Sequence, residues 1–248
     1  MTRQLLIYEN AEPLSSEAHR DVSVRTGTSW SFAAGLNSVP LVVAEFEKAA
    51  AEYPIVFAGE GDAIAPAVIL GLRDGENLCL RADGSWDGRY IPAFLRRYPF
   101  VFASSGEGEA ARLTLCIDTS YEGVNTEGRG ERLFDAEGNR TQYLSNMLQF
   151  TSDYQTQHQM TKAFAQKLQA LELFEPATAT ATLPDGQTLS LSGFKRVSPE
   201  KLRGLEDAAV LELFRSDMLG LVHAHLGSLA QMTRLLGKLE ARNRDAAA

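Results

Sequence analysis

A gapless internal repeat constrains the fold of this chain more than any other feature of its sequence. Residues 52–58, Glu-Tyr-Pro-Ile-Val-Phe-Ala, recur 45 positions later at 97–103 as Arg-Tyr-Pro-Phe-Val-Phe-Ala. In the same register, three alternating apolar residues that begin at Val68 correspond to three that begin at Leu113. Alternation with a period of two is typical of a β-strand. The repeat predicts a duplicated unit of short helix, strand, turn and strand, whose two copies pair in one sheet.

Helical spacing dominates the sequence after residue 140. Apolar residues predict a long helix at 141–173, and a Pro-Asp-Gly sequence at 184–186 predicts the turn of a β-hairpin. Apolar residues spaced four and three apart predict a terminal helix that includes 218–239. The predicted fold class is therefore α+β: an antiparallel or mixed sheet, flanked by a C-terminal helical region with an inserted β-hairpin.

The wide apolar seam of the terminal helix requires an apolar partner. The long helix at 141–173 of the same chain is the favoured partner, and this pairing predicts a monomer. The alternative is the 218–239 helix of a second subunit, which would give a two-fold homodimer. His225 falls on the seam, where we expect a buried histidine with satisfied hydrogen bonds rather than a metal ligand.

The length, composition and charge of the chain indicate a globular protein and argue against some classes of partner. A chain of 248 residues with 44% hydrophobic and 23% charged residues suits one globular domain, with a strand-rich part at 1–140 and a helix-rich part at 141–248. A net charge of −8 argues against binding to nucleic acid or to an anionic membrane surface. The short N-terminal apolar run predicts no signal peptide, and no run has membrane-spanning length. We therefore expect a cytoplasmic protein without membrane insertion.

The cysteines and histidines give no sign of a metal or cofactor site. Cys79 and Cys116 lie in apolar, strand-like runs, which predicts two buried, reduced thiols. The four histidines lack the spacings of metal ligands. Phosphate-binding and dinucleotide-binding glycine motifs are also absent from the sequence. We therefore expect neither a metal nor a cofactor.

A glycine-rich charged loop at 125–135 is the first candidate site. Its candidate ligand-binding residues are Asn125, Arg129 and Arg132, and its candidate bases are Glu127 and Glu131. Arginine binds carboxylates and phosphates through a planar fork, and a glutamate can accept a proton. Asp118, at the end of a predicted strand, is a further candidate for moving or orienting a proton. The alternative interpretation is a surface loop whose glycines form turns and whose charges pair with each other.

A cluster of aromatic and arginine residues at 86–98 is the second candidate site. Its candidate ligand-binding residues are Trp86, Tyr90, Arg96 and Arg97. Aromatic rings and guanidinium groups are enriched at the energetic centres of binding interfaces. The alternative interpretation places the rings in a junction between a helix and a sheet, with the arginine heads extended to solvent.

Several sequence motifs resemble the bacterial SapC family. They occupy residues 4–11, 52–59, 89–100 and 191–194, together with the Glu-Gly-Arg-Gly-Glu-Arg core of the 125–134 segment. The likeness extends from about residue 3 to residue 236. The family name is associated with surface layers, and relatives are encoded near tryptophan-halogenase-like proteins, cupin-like proteins and outer-membrane receptors. The resemblance therefore implies an accessory role in uptake or modification, and it supplies no catalytic residues.

Two functions from different classes follow from these observations. The favoured one is a non-catalytic binding or accessory protein with a protein or peptide partner, because the sequence has no catalytic motif and carries the aromatic and arginine cluster. The alternative is an enzyme that acts on a small anionic substrate. In that enzyme Arg129 and Arg132 would hold the anion, and Glu127 or Asp118 would move a proton.

Overall fold

The computed structural model describes residues 7–27, 29–105, 112–182, 186 and 188–247. The chain forms two compact units, each assembled from several stretches of sequence. The first contains the stretches up to residue 33, 82–85 and 95–155, and the second contains 34–81, 86–94 and 156–248. Helices and antiparallel sheets occur together, so the predicted α+β class is confirmed. The single domain over 1–248 stays a prediction.

The first unit contains two small antiparallel sheets. The larger one has the spatial order β1 (Ala11–Pro13), β7 (Arg112–Asp118) and β6 (Phe100–Ser105). The smaller one has the order β8 (Val124–Asn125), β2 (Ser23–Val24) and β9 (Glu131–Arg132). Phe100 pairs with Ile117, and both are fully buried beside Val24 and Leu133. Burial of these large apolar side chains is the main term that stabilises the unit.

The second unit is built on a five-stranded antiparallel sheet. Its spatial order is β10 (Phe174–Thr182), β11 (Thr188–Val197), β4 (Ile55–Ala58), β5 (Ala65–Ile69) and β3 (Ser38–Pro40). Its helices are α1 (Phe46–Ala50), α4 (Pro199–Arg203), α5 (Asp207–Arg215), α6 (Met218–Ser228) and α7 (Gln231–Ala247). The short helix α2 (Ala93–Arg96) and the long helix α3 (Gln142–Ala170) each contribute residues to both units. The helix predicted at 141–173 is thereby confirmed.

The two copies of the internal repeat form separate hairpins. In the first copy β4 pairs with β5, and in the second copy β6 pairs with β7. The two hairpins belong to different sheets, so the expectation that both copies pair in one sheet is wrong. The registers differ as well. Ile55 pairs with Val68, whereas the matching Phe100 pairs four residues beyond the equivalent of Val68. Local strand and turn signals recur in both copies, but they do not determine which strands become neighbours.

The predicted C-terminal hairpin forms between β10 and β11. The two strands pair from Phe174 opposite Val197 to Thr182 opposite Thr188, and Pro184 and Asp185 of the predicted turn lie outside the described residues. A β-bulge interrupts the register beside Gly193, whose φ of 84° lies in the left-handed region. Glycine adopts this conformation without the steric cost that a Cβ would bring.

The terminal helix predicted over 218–239 is two helices, α6 and α7. The break follows Ser228, whose hydroxyl donates to the carbonyl of His225 at 2.6 Å and accepts the backbone N–H of Ile55 at 2.9 Å. A serine that bonds its own helix competes with regular helical hydrogen bonding. The main packing contacts of α6 are with α1, α5, β4 and β11 rather than with the predicted long helix. The oligomeric state stays a prediction.

His225 connects α6 to two strands of the five-stranded sheet. Its side chain is fully buried; Nε2 accepts the backbone N–H of Val197 at 3.0 Å, and Nδ1 lies 2.8 Å from the carbonyl oxygen of Ile55. Burial, with a smaller contribution from the positive charge of Arg196, lowers the pKa of His225 to about 4, although the Ile55 carbonyl opposes the shift. The prediction of a core histidine with satisfied hydrogen bonds is confirmed.

Both cysteines are buried and free, as predicted from their apolar surroundings. Burial raises the pKa of the Cys79 thiol to about 11, so this group stays protonated at neutral pH. Because the thiolate is the reactive form of cysteine, Cys79 has the character of a structural residue.

We expect the stability of the protein to fall as the pH drops from 6.5 to 4, because the unfolded chain then binds a proton at residue 225 that the folded chain does not. The loss should be about 2 kcal/mol of unfolding free energy between pH 7 and 4.5. Urea unfolding at a series of pH values measures it. His225→Gln should lose this part of the pH dependence, and His223→Gln, at an exposed position, should keep it. Identical pH profiles for wild type and His225→Gln would contradict the assignment.

Candidate functional site

The loop predicted as a site at 125–135 is organised around the side chain of Asn125. Its amide nitrogen donates to the carbonyls of Arg129 at 2.8 Å and Gly123 at 3.0 Å, and it also reaches Ser23 at 3.2 Å. Its amide oxygen accepts the backbone N–H groups of Glu127 at 3.2 Å and Arg129 at 3.0 Å. These contacts use the full hydrogen-bonding capacity of the amide. Asn125 therefore shapes the turn.

The charged side chains of the loop contact each other and their neighbours. Arg129 and Glu127 form an ion pair at 2.9 Å, with both side chains exposed. Arg132 lies 3.5 Å from Asp21, and Glu131 is exposed on β9. Exposed ion pairs of this kind contribute little to stability. The geometry agrees with the surface-loop interpretation of this segment.

Asp118 is fully buried at the end of β7, where its carboxylate accepts several hydrogen bonds. The donors include the backbone N–H groups of Glu9 at 2.8 Å, Asn10 at 3.1 Å and Ser120 at 3.0 Å, and the Ser120 hydroxyl. Burial opposes ionisation, but these hydrogen bonds outweigh it and hold the pKa of Asp118 below its usual range. A carboxylate held ionised in this way is a structural anchor and a poor proton donor.

Trp86 and Tyr90 of the predicted aromatic cluster lie in the second unit, in a polar network. The indole N–H of Trp86 donates to the hydroxyl of Tyr53 at 2.9 Å and to the carbonyl of Tyr90 at 3.2 Å. The Tyr90 hydroxyl donates to the buried carboxylate of Glu45 at 2.6 Å, which also accepts the N–H of Ala93 at 2.6 Å. These hydrogen bonds give Trp86 and Tyr90 a structural role.

Arg96 and Arg97 lie in the first unit and differ sharply in exposure. Arg97 is buried, and its guanidinium lies over the ring of Tyr154 at 4.4 Å and that of Tyr8 at 5.8 Å. Arg96 is exposed, and its guanidinium lies 5.1 Å from the ring centroid of Phe150. Stacking on an aromatic face restrains a guanidinium and is mildly stabilising. Of the predicted pair, Arg96 is the residue that can meet a ligand.

A cavity of about 290 Å³ in the first unit brings Arg96 together with a set of aromatic residues. We call it the aromatic cavity, and its large apolar lining residues are Trp30, Phe32, Tyr98, Tyr121, Tyr143 and Met147. Thr26 and Ser29 add hydroxyl groups to the lining. Concave sites with mostly apolar walls and a few polar groups are the usual form of ligand-binding sites.

The rings of the aromatic cavity contact one another. The centroids of Phe32 and Tyr98 are 4.4 Å apart, those of Tyr98 and Tyr121 are 5.0 Å apart, and those of Trp30 and Phe32 are 5.9 Å apart. A Cβ at Gly123 would lie 2.4 Å from Cε1 of Tyr121, so the absence of a side chain there admits the Tyr121 ring. Mutual packing of this kind fixes the rings in place before any ligand arrives.

The tyrosine hydroxyls of the aromatic cavity stay protonated at physiological pH. Burial raises the pKa of Tyr98, and the negative charge of Asp118 raises it further. Burial likewise raises the pKa of Tyr121 and Tyr143, with smaller contributions from Glu122 at Tyr121 and from Glu131 at Tyr143. The cavity therefore presents neutral phenol groups together with the positive charge of Arg96.

A larger groove of about 740 Å³ also lies in the first unit. Its apolar lining includes Leu14, Phe102, Leu113, Leu115, Phe134, Leu144 and Leu148, with Arg140 among its polar residues. Leucine is under-represented among the residues that dominate binding energies, whereas tryptophan, tyrosine and arginine are enriched. The aromatic cavity is therefore the stronger candidate.

A model of the SapC family matches residues 14–235, nearly the whole chain. The chain belongs to the SapC family. The comparison with curated proteins gave no match, and neither did the comparison with solved structures. The residues that match the family include every residue of the aromatic cavity and the whole 125–135 loop.

The described residues of this SapC-family chain form neither a metal-binding cluster nor a membrane-spanning helix. Within the described ranges, no group of three or more histidine, cysteine, aspartate or glutamate residues is placed to hold a metal ion. None of the helices in this part of the chain combines the length and hydropathy needed to cross a membrane. Residues 1–6, on which the signal-peptide prediction rests, lie outside the described residues.

The cluster predicted at 86–98 contains two members of the aromatic cavity, Arg96 and Tyr98, and sequence reasoning missed the others as a site. Trp30 and Phe32 are two residues apart in sequence, and Tyr143 and Met147 are spaced for one helical face. Nothing in their local sequence shows that they face Tyr98 and Tyr121. The sequence signal that could have indicated the cavity is the number of large aromatic residues that fit neither a helical nor a strand-like apolar pattern.

We expect Asn125→Ala to destabilise the SapC-family protein by about 2 kcal/mol, because the loss of its amide leaves several backbone groups without their partners. Arg129→Ala, in the same loop, should cost less than about 0.5 kcal/mol because its side chain is exposed. Urea denaturation compares the two. Equal losses would contradict the assignment of Asn125 as the organiser of the turn.

Asp118→Ala should destabilise the protein by roughly 2–4 kcal/mol, because the backbone N–H groups of Glu9 and Asn10 lose their acceptor. Ser120→Ala removes one donor and should cost about 1 kcal/mol. The midpoints of urea unfolding give both values. A loss for Asp118→Ala no larger than that for Ser120→Ala would show that the carboxylate is not an anchor.

Proposed function

We propose that this SapC-family protein is a non-catalytic binding protein, an accessory to cell-surface, uptake or modification systems, and that it holds a protein or peptide partner at the aromatic cavity. One observation carries the proposal. Trp30, Phe32, Tyr98 and Tyr143, all half-buried, line one concave site together with the exposed Arg96. These residue types dominate the binding energy of protein interfaces when they cluster around a pocket.

The packing of the aromatic cavity supports recognition rather than reaction. Its rings contact each other, so little side-chain entropy remains to be lost when a partner side chain enters. The hydroxyls of Tyr98 and Tyr143 have raised pKa values and stay neutral. A neutral phenol is a hydrogen-bond donor but a weak base. These properties suit a pocket that holds an anchor residue of a partner.

The alternative function, an enzyme that uses the 125–135 loop, gains no support from the geometry. Arg129 already pairs with Glu127, and Arg132 lies beside Asp21. Asp118 is buried beneath hydrogen-bond donors of its own chain. The side chains that would bind an anion and move a proton are thus engaged with the protein itself.

A cytoplasmic location is part of the proposal. Both cysteines are free thiols, which is the usual state of cysteine in a reducing compartment. The partner would then be a protein or peptide of the same compartment.

Selection of peptides from a phage-displayed random heptapeptide library tests the proposal. The wild-type protein should enrich peptides with an aromatic residue, and fluorescence polarisation then gives their affinity. Trp30→Ala should weaken binding of a selected peptide roughly thirtyfold, the loss expected for a central interface residue.

Leu113→Ala is the matched control, because Leu113 is exposed in the larger groove and lies outside the aromatic cavity. It should leave the affinity unchanged. Thermal unfolding confirms that both variants are folded. Peptides that bind Trp30→Ala as tightly as wild type, or whose binding is lost in Leu113→Ala alone, would overturn the proposal.

A further inference from the structure

We infer that the group held in the aromatic cavity is an aromatic ring that carries a carboxylate or another anionic substituent, with the anion at Arg96. The inference rests on the proposed function, since it names the chemistry that the same cavity selects. It follows from three features of the cavity: its ring faces, its charge and its size.

The ring faces favour a flat apolar group. Trp30, Phe32 and Tyr98 form a continuous run of rings whose successive centroids are 5.9 and 4.4 Å apart, and Tyr121 extends the run at 5.0 Å. Three of these four residues are half-buried, so part of their surface is open to the cavity. A further aromatic ring can join such a run by offset or edge-to-face contact, which adds to the gain from burial of its area.

The charge of the lining favours an anion. Arg96 contributes a permanent positive charge and a planar guanidinium, a geometry that matches a carboxylate. Its position over the Phe150 ring restrains the guanidinium, so less side-chain entropy is lost on binding. Thr26 and Ser29 add hydroxyl donors to the same lining. An ammonium group would meet the like charge of Arg96 and be disfavoured.

The size of the cavity limits the ligand. A volume of about 290 Å³ lies just below the usual range for small-molecule sites, roughly 300–1,000 Å³. It suits one ring with a short substituent. Two sources supply this chemistry: the C-terminal aromatic residue of a peptide, whose carboxylate and side chain are both bonded to Cα, and a free aromatic acid.

Three probes with the same ring and different charges test the inference. They are phenylacetate, its neutral isostere phenylacetamide, and the cation phenethylamine, each titrated into the 248-residue protein and followed by saturation-transfer NMR. Phenylacetate should bind at least tenfold more tightly than phenylacetamide, and phenethylamine should bind most weakly. Arg96→Gln should abolish the difference between acid and amide, and Arg96→Lys should restore part of it. Arg112→Gln, an exposed arginine of the same unit outside the cavity, should leave it unchanged.

A fourth probe separates the two sources. The tripeptide Gly-Gly-Phe is compared as the free acid and as the C-terminal amide. Tighter binding of the free acid than of phenylacetate supports a peptide C-terminus, and weaker binding supports a free aromatic acid.

The failure of this inference differs from the failure of the proposed function. Equal affinity for phenylacetate and phenylacetamide, with both lost in Trp30→Ala, overturns the anionic class and leaves the cavity as a binding site. Binding of none of the three probes also overturns the inference. The selected heptapeptides and their dependence on Trp30 then decide the proposed function separately.

Discussion

Two walls of the aromatic cavity depend on one buried residue, Asp118. Its carboxylate, at the end of β7, accepts the backbone N–H groups of Glu9 and Asn10, and its backbone carbonyl accepts the N–H of Tyr121 at 3.3 Å. The Tyr98 hydroxyl donates to the same carboxylate at 3.4 Å. Tyr98 and Tyr121, which line the cavity, are therefore both positioned by Asp118. Asp118, a catalytic candidate from the sequence, thus has a positional role. Its carboxylate is buried and already accepts hydrogen bonds from its own chain, so it is not available to a substrate.

Local features of the fold were predictable from sequence, and the pairing of distant segments was not. The strand that became β4, Ile55–Ala58, follows from a short apolar run between turn signals, and the strand that became β7, Arg112–Asp118, follows from alternation. Their assignment to different sheets depends on which surfaces pack together, and the repeat carries no such information. The break after Ser228 has the same origin, since the hydrogen bond from Ile55 is made across 173 residues of sequence.

The candidate site was predictable only where composition was unusual. Arg96 was found because arginines and aromatic residues are concentrated around it in the sequence. Arg97 and Trp86, from the same sequence cluster, are buried and have structural roles. The charged loop has a composition that suits both a ligand-binding loop and a tight turn, and only the hydrogen bonds of Asn125 separate these interpretations. The lining residues of the cavity are spread over positions 26 to 147, so no local sequence pattern predicts that they lie together.

The claim that the aromatic cavity is the binding site is tested most directly by ¹⁹F NMR. The chain has two tryptophans, Trp30 in the cavity and the buried Trp86 in the other unit, so 5-fluorotryptophan labelling gives one reporter in each. Trp30→Phe assigns the resonances. Titration with a library-selected aromatic peptide should shift the Trp30 resonance and leave that of Trp86 unchanged. A shift confined to Trp86, or no shift of Trp30 at saturating peptide, would contradict the account.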